Sequence, residues 1–425
     1  MMTERPQTDP ERFTATYLVE TAADVESVAV EMAGEQSTST SRRVVGETAE
    51  LVARHGARIE RIDRLEDVPV PSLPVTGPAA PAYHRARVVL SWPVHNIGRS
   101  LTMLGTALMG NQTGMKRLSG LRLEDISLPA SFMAAFPRPA FGIEGTRRLT
   151  GVSGRPVIGS VIKPNIGLTP EQTAETVRQL ATAGVDFIKD DELMADPPYS
   201  PLERRVAAVM PVIRDAAQRL GRQPMYAFNI TGDADEMRRN HDLVLAAGGT
   251  CVMVNVNSVG LAGLVTLRRH SQLPIHAHRA GWGAMTRCPL QGLDFAPYQA
   301  MLRLAGVDQL HVSGLGGKFW ETEDSVLSAA RCCLTPLVSA DDRAMPVFSG
   351  GSTVRDVEPT YHGISTTDIL FVCGSAIFSH PMGIAAGYSS IRAAWDAAIA
   401  GKDLEGIAAA RKDLAAALEF WPRRR

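Results

Sequence analysis

Cysteine is scarce in this chain and forms no recognisable framework. The five residues, Cys251, Cys288, Cys332, Cys333 and Cys373, are odd in number and lack CxxC spacing. That argues against a disulfide scaffold or a structural zinc site and fits a reducing cytoplasm. Net charge is scarce as well. The 44 basic and 45 acidic residues leave −1, so no bulk attraction to nucleic acid or an acidic membrane surface is expected. No apolar run approaches a membrane span, and MMTERPQTDPERF lacks an apolar signal core, so neither a membrane partner nor export is expected. What is present is ordinary: 45% hydrophobic and 21% charged residues over 425 positions. That length fits one large barrel with a smaller companion domain.

Residues 1–140 read as a separate α+β domain of ferredoxin-like type. Thr14 to Glu20 and His84 to Trp92 alternate as strands, while Ala22 to Ala33 and Ser100 to Met109 have helical patterns. The proline-rich stretch PVPSLPVTGPAAPAYH is a loop, and Pro129 to Pro139 leads out of the domain. Residues 141–425 repeat strand and helix. Eight short apolar strands are PVIGSVIKP, VDFIKDD, MYAFNIT, TCVMVNVN, PIHAHRA, QLHVSG, PVFSGG and ILFVCG. Helical stretches such as Pro170 to Ala183, Pro201 to Leu220, Asp235 to Ala247 and Thr322 to Cys332 separate them. This is the pattern of a (β/α)8 TIM barrel. A small-residue stretch, Gly383 to Tyr388, precedes C-terminal helices through Ala393 to Leu418.

Barrel chemistry sits at the C-terminal ends of the strands. Polar residues gather there: Lys163, Lys189, Asp191, Glu192, Asn229, His278, Arg279, His311, Ser349, Gly350, Gly351 and Ser375. The second strand is the most telling, because it ends in Lys189-Asp190-Asp191-Glu192. Side-chain alternation turns Lys189 and Asp191 the same way, and Glu192 follows at the turn. Such a group suits a hard divalent cation such as Mg²⁺, provided the lysine is neutral or modified. Taken alone, it reads equally well as a solvated strand-to-loop junction. Likewise His311 alone reads equally as a satisfied core histidine, and Ser349-Gly350-Gly351 alone reads as a tight turn.

These motifs together resemble the large subunit of ribulose bisphosphate carboxylase, and more closely the RuBisCO-like proteins. Gly159 to Leu168 (GSVIKPNIGL) is similar to the family's GxTIKPKxGL, and Phe187 to Glu192 (FIKDDE) matches its F-x-KDDE site. Ile275 to Ala280 (IHAHRA), His311, Lys318, Ser349-Gly350-Gly351 and Ser379 to Gly383 (SHPMG) continue the likeness. So do Glu35 to Thr40 (EQSTST) and Gly110-Asn111 in the first domain. The resemblance implies that CO2 carbamylates Lys189, which then binds Mg²⁺ with Asp191 and Glu192. It also implies a head-to-tail homodimer in which Glu35, Thr40 and Asn111 complete the partner's site. Lys163, Lys189, His278 and Lys318 are the expected catalytic residues. The proton carrier stays open between the Lys189 carbamate, Lys163 and His278. Arg279, His311, Ser349, Gly350, Gly351, Gly374 and Ser375 are the expected substrate and phosphate contacts.

The departures point away from carboxylation. Val161 replaces the motif threonine, Asn165 replaces its second lysine, and Ser41 stands in place of a tryptophan. Trp282 replaces a histidine, and Cys373-Gly374-Ser375-Ala376 replaces a triple glycine. Fixing CO2 on a bisphosphate needs two complete phosphate sites and a closing lid. The enolising residues remain, so the expected substrate is a phosphorylated keto sugar acid. The resemblance suggests 3-oxo-isoapionate 4-phosphate, undergoing decarboxylation or carboxyl transfer with hydrolysis. The alternatives are a methionine-salvage enolase or isomerase on a methylthio-pentulose phosphate, and a non-catalytic sugar-phosphate-binding protein.

Overall fold

Alternating burial along the first strands explains the first layer of structure. The computed structural model describes residues 10–39, 44–76 and 80–422. Its strands in chain order are β1 (Arg12–Thr21), β2 (Arg58–Arg64), β3 (His84–Pro93), β4 (Leu118–Ser127), β5 (Val157–Val161), β6 (Phe187–Lys189) and β7 (Met225–Asn229). Then come β8 (Cys251–Asn255), β9 (Ile275–His278), β10 (Gln291–Leu293), β11 (Gln309–His311), β12 (Met345–Phe348) and β13 (Leu370–Val372).

Two compact units divide the chain. The first joins the residues up to Phe136 with Gly281–Met301. Its sheet has the order β10-β4-β1-β3-β2. The β1–β3, β1–β4 and β2–β3 pairs are antiparallel, and β10 joins β4 in parallel. Phe13, Ala15, Tyr17 and Val19 are all buried, as the period of two requires. The helix Val25–Glu35 closes this face with Val25, Val28, Ala29 and Met32 buried, and Asp24 caps its first turn. The helix expected over Ser100 to Met109 is present as Leu101–Leu108, with Ser100 and Met109 as its caps. Its connectivity is the βαββαβ arrangement of ferredoxin-like domains, with β10 added at one edge.

The second unit holds residues 137–280 and 302–425. Eight parallel strands close in the order β11-β12-β13-β5-β6-β7-β8-β9. Strands buried on both faces must be apolar throughout. Accordingly Val157, Phe187, Met225, Cys251, Met253, Val347, Leu370 and Val372 share one core cluster. The helix Pro170–Ala183 starts at a Thr169 capping box with proline in its first turn, and ends at Gly184 in the left-handed region (φ 93). The small-residue stretch read as preceding the last helices is itself helical, forming the opening turns of Ile384–Ile399. Small side chains allow close packing there: a Cβ on Gly387 would lie 2.6 Å from the Ile377 carbonyl.

Charged residues at the starts of the barrel strands are structural staples. Asp308, just before β11, accepts backbone N–H groups from Phe141, Gly142 and Ile275 and pairs with Arg268 at 3.0 Å. Asp186, just before β6, pairs with Arg155 and Arg222 and accepts the Ile158 N–H. Such groups hold neighbouring strands together at the end of the barrel away from the chemistry.

Candidate active site

The end of β6 sorts its four charged residues into separate tasks. Lys189 is the last strand residue and is buried. Its Nζ lies 2.9 Å from the Asp190 carbonyl and 3.6 Å from Met253 Sδ. Burial pulls the Lys189 pKa down, against the opposing pull of Glu192 and Asp191. Asp190 turns the other way. It accepts from Tyr226 Oη at 2.6 Å and the Asn229 N–H at 2.9 Å, and it pairs with buried Arg205 at 3.2 Å. Asp191 is buried and sits 3.1 Å from Lys163 Nζ. Glu192 lies 3.5 Å from His278 Nε2.

The backbone bearing these carboxylates is held by asparagines. Asn229 Nδ2 donates to the carbonyls of Asp191 and Glu192, and Asn255 Nδ2 donates to that of Glu192 at 2.8 Å. Asn229 was expected at the strand-end site. Here it is a brace for the carboxylate turn, tied further to Thr231 through Oδ1. Arg205, Tyr226 and Asn255 were missed. Tyr226 and Asn255 reach this turn from neighbouring strands and Arg205 from the helix Leu202–Leu220, so local pattern does not show the link.

Lys163 follows β5 and bridges Asp191 and Asn165. The Asn165 that replaces a family lysine therefore accepts from Lys163. Lys163 also packs by Gly374, where an added Cβ would lie 3.4 Å from its Cε and 3.1 Å from Val161 Cγ1. His278 ends β9, and its ring centroid is 4.6 Å from that of His311. Burial, then the nearby cations Lys189 and Arg279, hold His278 far below the ordinary histidine range. Arg279 is buried and forms a 2.7 Å ion pair with Glu321, each side chain less than a tenth exposed. The arginine expected to grip an anion therefore already holds a carboxylate of the Ser313–Glu321 loop. Lys318 on that loop is exposed, with its backbone N–H bonded to the Gly350 carbonyl and its Nζ over the Phe319 ring.

At the end of β12, Gly350 and Gly351 take φ values of 104 and 108. A Cβ on Gly350 would strike the Phe319 ring at 2.5 Å, so glycine is required twice over there. The Ser349 hydroxyl is engaged by His311 Nδ1 at 2.7 Å. His311 is neither a plain core histidine nor a free ligand: it also meets His276 Nε2 at 2.8 Å. Gly374 and Ser375 follow β13 and open the short helix Ser375–Phe378.

In the first unit Asn111 Nδ2 donates to Glu35 Oε1 at 3.1 Å, which brings these two expected residues together. Thr40 and Ser41 lie outside the described residues. Trp282 fills an aromatic cluster, with ring centroids 4.5 Å from Tyr298 and 5.8 Å from Phe295.

The donor set at β6 fits a magnesium ion. Asp191 and Glu192 offer hard oxygens, and Lys189 is a buried amine that donates to a carbonyl and a thioether. A depressed pKa favours the neutral amine that CO2 can modify to a third oxygen donor. A second group, His241, Asp242 and His270, has ligand atoms within 4.8 Å of one another. There the Gln272 N–H donates to His241 Nε2, which leaves the His241 proton on Nδ1 facing Asp242. That arrangement is a hydrogen-bonded cluster, and it is separate from the β6 site.

A TIM barrel that gathers an acidic, lysine-bearing strand end and glycine turns at the C-terminal ends of its strands has the layout in which barrel enzymes build their active sites. Residues 142–421 match the ribulose bisphosphate carboxylase large chain catalytic domain, and residues 5–132 match its N-terminal domain. The chain belongs to the ribulose bisphosphate carboxylase large-chain family. It is 55% identical to a protein of Xanthobacter autotrophicus named 3-oxo-isoapionate-4-phosphate transcarboxylase/hydrolase, covering 97% of this chain and 99% of that one. It is 46% identical to a Rhizobium etli protein named 3-oxo-isoapionate-4-phosphate decarboxylase, over 96% of this chain and 98% of the other. A crystal structure of a rubisco-like protein from Burkholderia fungorum superposes with a TM-score of 0.91 at 43% identity, covering 97% and 100% of the two chains. No helix among the described residues is long and apolar enough to cross a membrane.

Proposed function

We propose that this protein acts on 3-oxo-isoapionate 4-phosphate or a close phosphorylated keto sugar acid, and that it does not fix CO2 on a bisphosphate. One observation carries the reading: a chain 55% identical to a transcarboxylase/hydrolase for that compound keeps Lys163, Lys189, Asp191, Glu192 and His278 together at the barrel's strand ends. The lower identity to the decarboxylases makes carboxyl transfer with hydrolysis the favoured outcome over simple loss of CO2. The methionine-salvage and non-catalytic alternatives have no comparable support.

Lys189, carbamylated by CO2, would hold Mg²⁺ with Asp191 and Glu192. When bound, the ion supplies a Lewis acid for the substrate's carbonyl oxygens. The chain's own residues do the rest. Lys163, held by Asp191, presents an N–H donor to substrate oxygen. His278 is kept neutral by burial and can accept a proton at Nε2, beside Glu192. Arg279 exchanges Glu321 for a substrate anion, and backbone N–H groups around Gly350, Gly351, Gly374 and Ser375 receive the phosphate. Lys318 arrives with its loop. Glu35, Thr40 and Asn111 complete the site of the partner in a head-to-tail homodimer, and five cysteines without CxxC spacing suit a reducing cytoplasm.

The test is turnover followed by NMR. Protein activated with CO2 and Mg²⁺ is incubated with 3-oxo-isoapionate 4-phosphate beside a Lys189→Ala control. Lysine-dependent cleavage into two acids supports carboxyl transfer with hydrolysis, and CO2 release supports decarboxylation. An unchanged substrate rejects the proposal.

A further inference from the structure

A hydrogen-bonded file of side chains runs inside the barrel from the helix Gly142–Thr150 to the strand-end site. Thr146 Oγ1 is 2.7 Å from the Gly142 carbonyl, and Gln309 Nε2 is 3.1 Å from Thr146 Oγ1. Gln309 Oε1 is 2.8 Å from His276 Nδ1, His276 Nε2 is 2.8 Å from His311 Nε2, and His311 Nδ1 is 2.7 Å from Ser349 Oγ. Thr146, His276 and Gln309 are fully buried. Gln309 and His276 are direct partners in the β11–β9 register.

The direction of every bond in the file follows from its first member. A carbonyl cannot donate, so the single Thr146 hydroxyl proton goes to Gly142. Thr146 then accepts from Gln309, which must present its NH2 group there and its oxygen to His276. His276 therefore carries its proton on Nδ1 and leaves Nε2 as an acceptor. His311 must in turn carry its proton on Nε2, and its Nδ1 accepts the Ser349 hydroxyl. Burial keeps both imidazoles far below the ordinary histidine range, so neither gains a second proton near neutrality.

We propose that Gln309 is a positioning residue of the active site: anchored on Thr146, it sets the tautomers of His276 and His311, and so commits the Ser349 proton to His311. The Ser349 oxygen then faces the strand-end site as an acceptor, suited to a substrate hydroxyl rather than to an ionised phosphate oxygen. Phosphate must be met by backbone N–H groups instead. The tautomer assignment stands on the hydrogen bonds between two neutral, buried rings; only its effect on turnover rests on the function proposed above.

The test uses the full chain labelled with ¹⁵N-histidine. Long-range ¹⁵N–¹H spectra distinguish imidazoles protonated on Nδ1 from those protonated on Nε2, and His276→Asn and His311→Asn variants assign the signals. The wild type should show His276 protonated on Nδ1 and His311 on Nε2. Gln309→Met preserves volume and removes the amide's bonds to Thr146, His276 and Met225, so both rings should leave those states, and KM should rise about tenfold, the loss of one hydrogen bond to substrate. Thr146→Val, remote from the substrate, should mix the His276 tautomers and keeps the test decisive if Gln309→Met does not fold. The opposite tautomers in the wild type, or unchanged spectra in the folded variants, would overturn the proposal. Absent wild-type turnover would count against the substrate assignment only, since the spectra are read without substrate.

Discussion

Asp190 and Asp191 are neighbours in the chain and face opposite ways. Asp190 is bound to Arg205, Tyr226 and the Asn229 N–H, whereas Asp191 meets Lys163 at the strand-end site. Both are buried, so exposure alone does not separate them. Their variants will. Asp190→Ala leaves the buried Arg205 guanidinium without its carboxylate and should cost about 3–5 kcal/mol in urea unfolding. Asp191→Asn keeps shape and most packing, so it should unfold near the wild-type midpoint while losing Mg²⁺ binding in calorimetry. Equal loss of stability in both variants would contradict the division.

Lys189 gives the site a pH dependence. Burial lowers its pKa, so the folded chain holds more neutral amine at a given pH than an exposed lysine would. Only the neutral amine captures CO2, and the rate of CO2 activation should therefore rise with pH and level off below the ordinary lysine value of about 10.4. The linkage has the same sign. Between the depressed folded value and the ordinary one, the unfolded chain binds more protons, so stability increases with pH across that window. Lys189→Met should abolish activation and flatten that part of the stability profile. A levelling-off at or above the ordinary lysine value would refute the role of burial.

Much of the barrel is legible in sequence because strands buried on both faces are largely apolar runs, as β5 to β8, β12 and β13 are, whereas β9 and β11 carry the buried His276, Gln309 and His311. The strand-end residues are legible for the complementary reason, since charge survives only where the runs stop. What stays hidden depends on partners distant in the chain. Alternation turns Asp190 away from Lys189 and Asp191, but nothing local announces Arg205 and Tyr226 as its partners. Arg279 reads as an open anion grip until Glu321, 42 positions on, is seen to hold it. Gln309 and Thr146 give no local signal at all, because their hydrogen bonds span 163 positions. Nothing in the periodicity marks Gly281–Met301 as part of the first unit either. Its three-residue strand β10 is specified by pairing with β4 rather than by its own composition.

The Arg279–Glu321 pair makes anion binding a competition. Both side chains are buried, and substrate anion must displace the Glu321 carboxylate to reach the guanidinium. Glu321→Gln keeps the size of the side chain and removes the competing charge. Its affinity for inorganic phosphate, measured by calorimetry, should increase by about tenfold, the scale of one charge-assisted hydrogen bond. Arg279→Met should instead weaken phosphate binding, and Glu321→Gln should bring no gain in that background. Unchanged phosphate affinity in Glu321→Gln would mean that Arg279 does not meet the anion.

The proposed sharing of sites between subunits predicts complementation. Glu35 and Asn111 hold each other in the first unit, and Lys189 sits in the barrel. If each site takes Lys189 from one protomer and Asn111 from its partner, Asn111→Ala and Lys189→Ala homodimers are both inactive. Mixed and allowed to exchange, half of the dimers become hybrids, and each hybrid regains one intact site of two. Activity should return to about a quarter of the wild-type level, as two-fold symmetry requires. Sites built within single chains would show no recovery at any mixing ratio, and Asn111→Ala activity unaffected from the start would remove Asn111 from the site. Gel filtration of the mixture checks that dimers persist through the exchange.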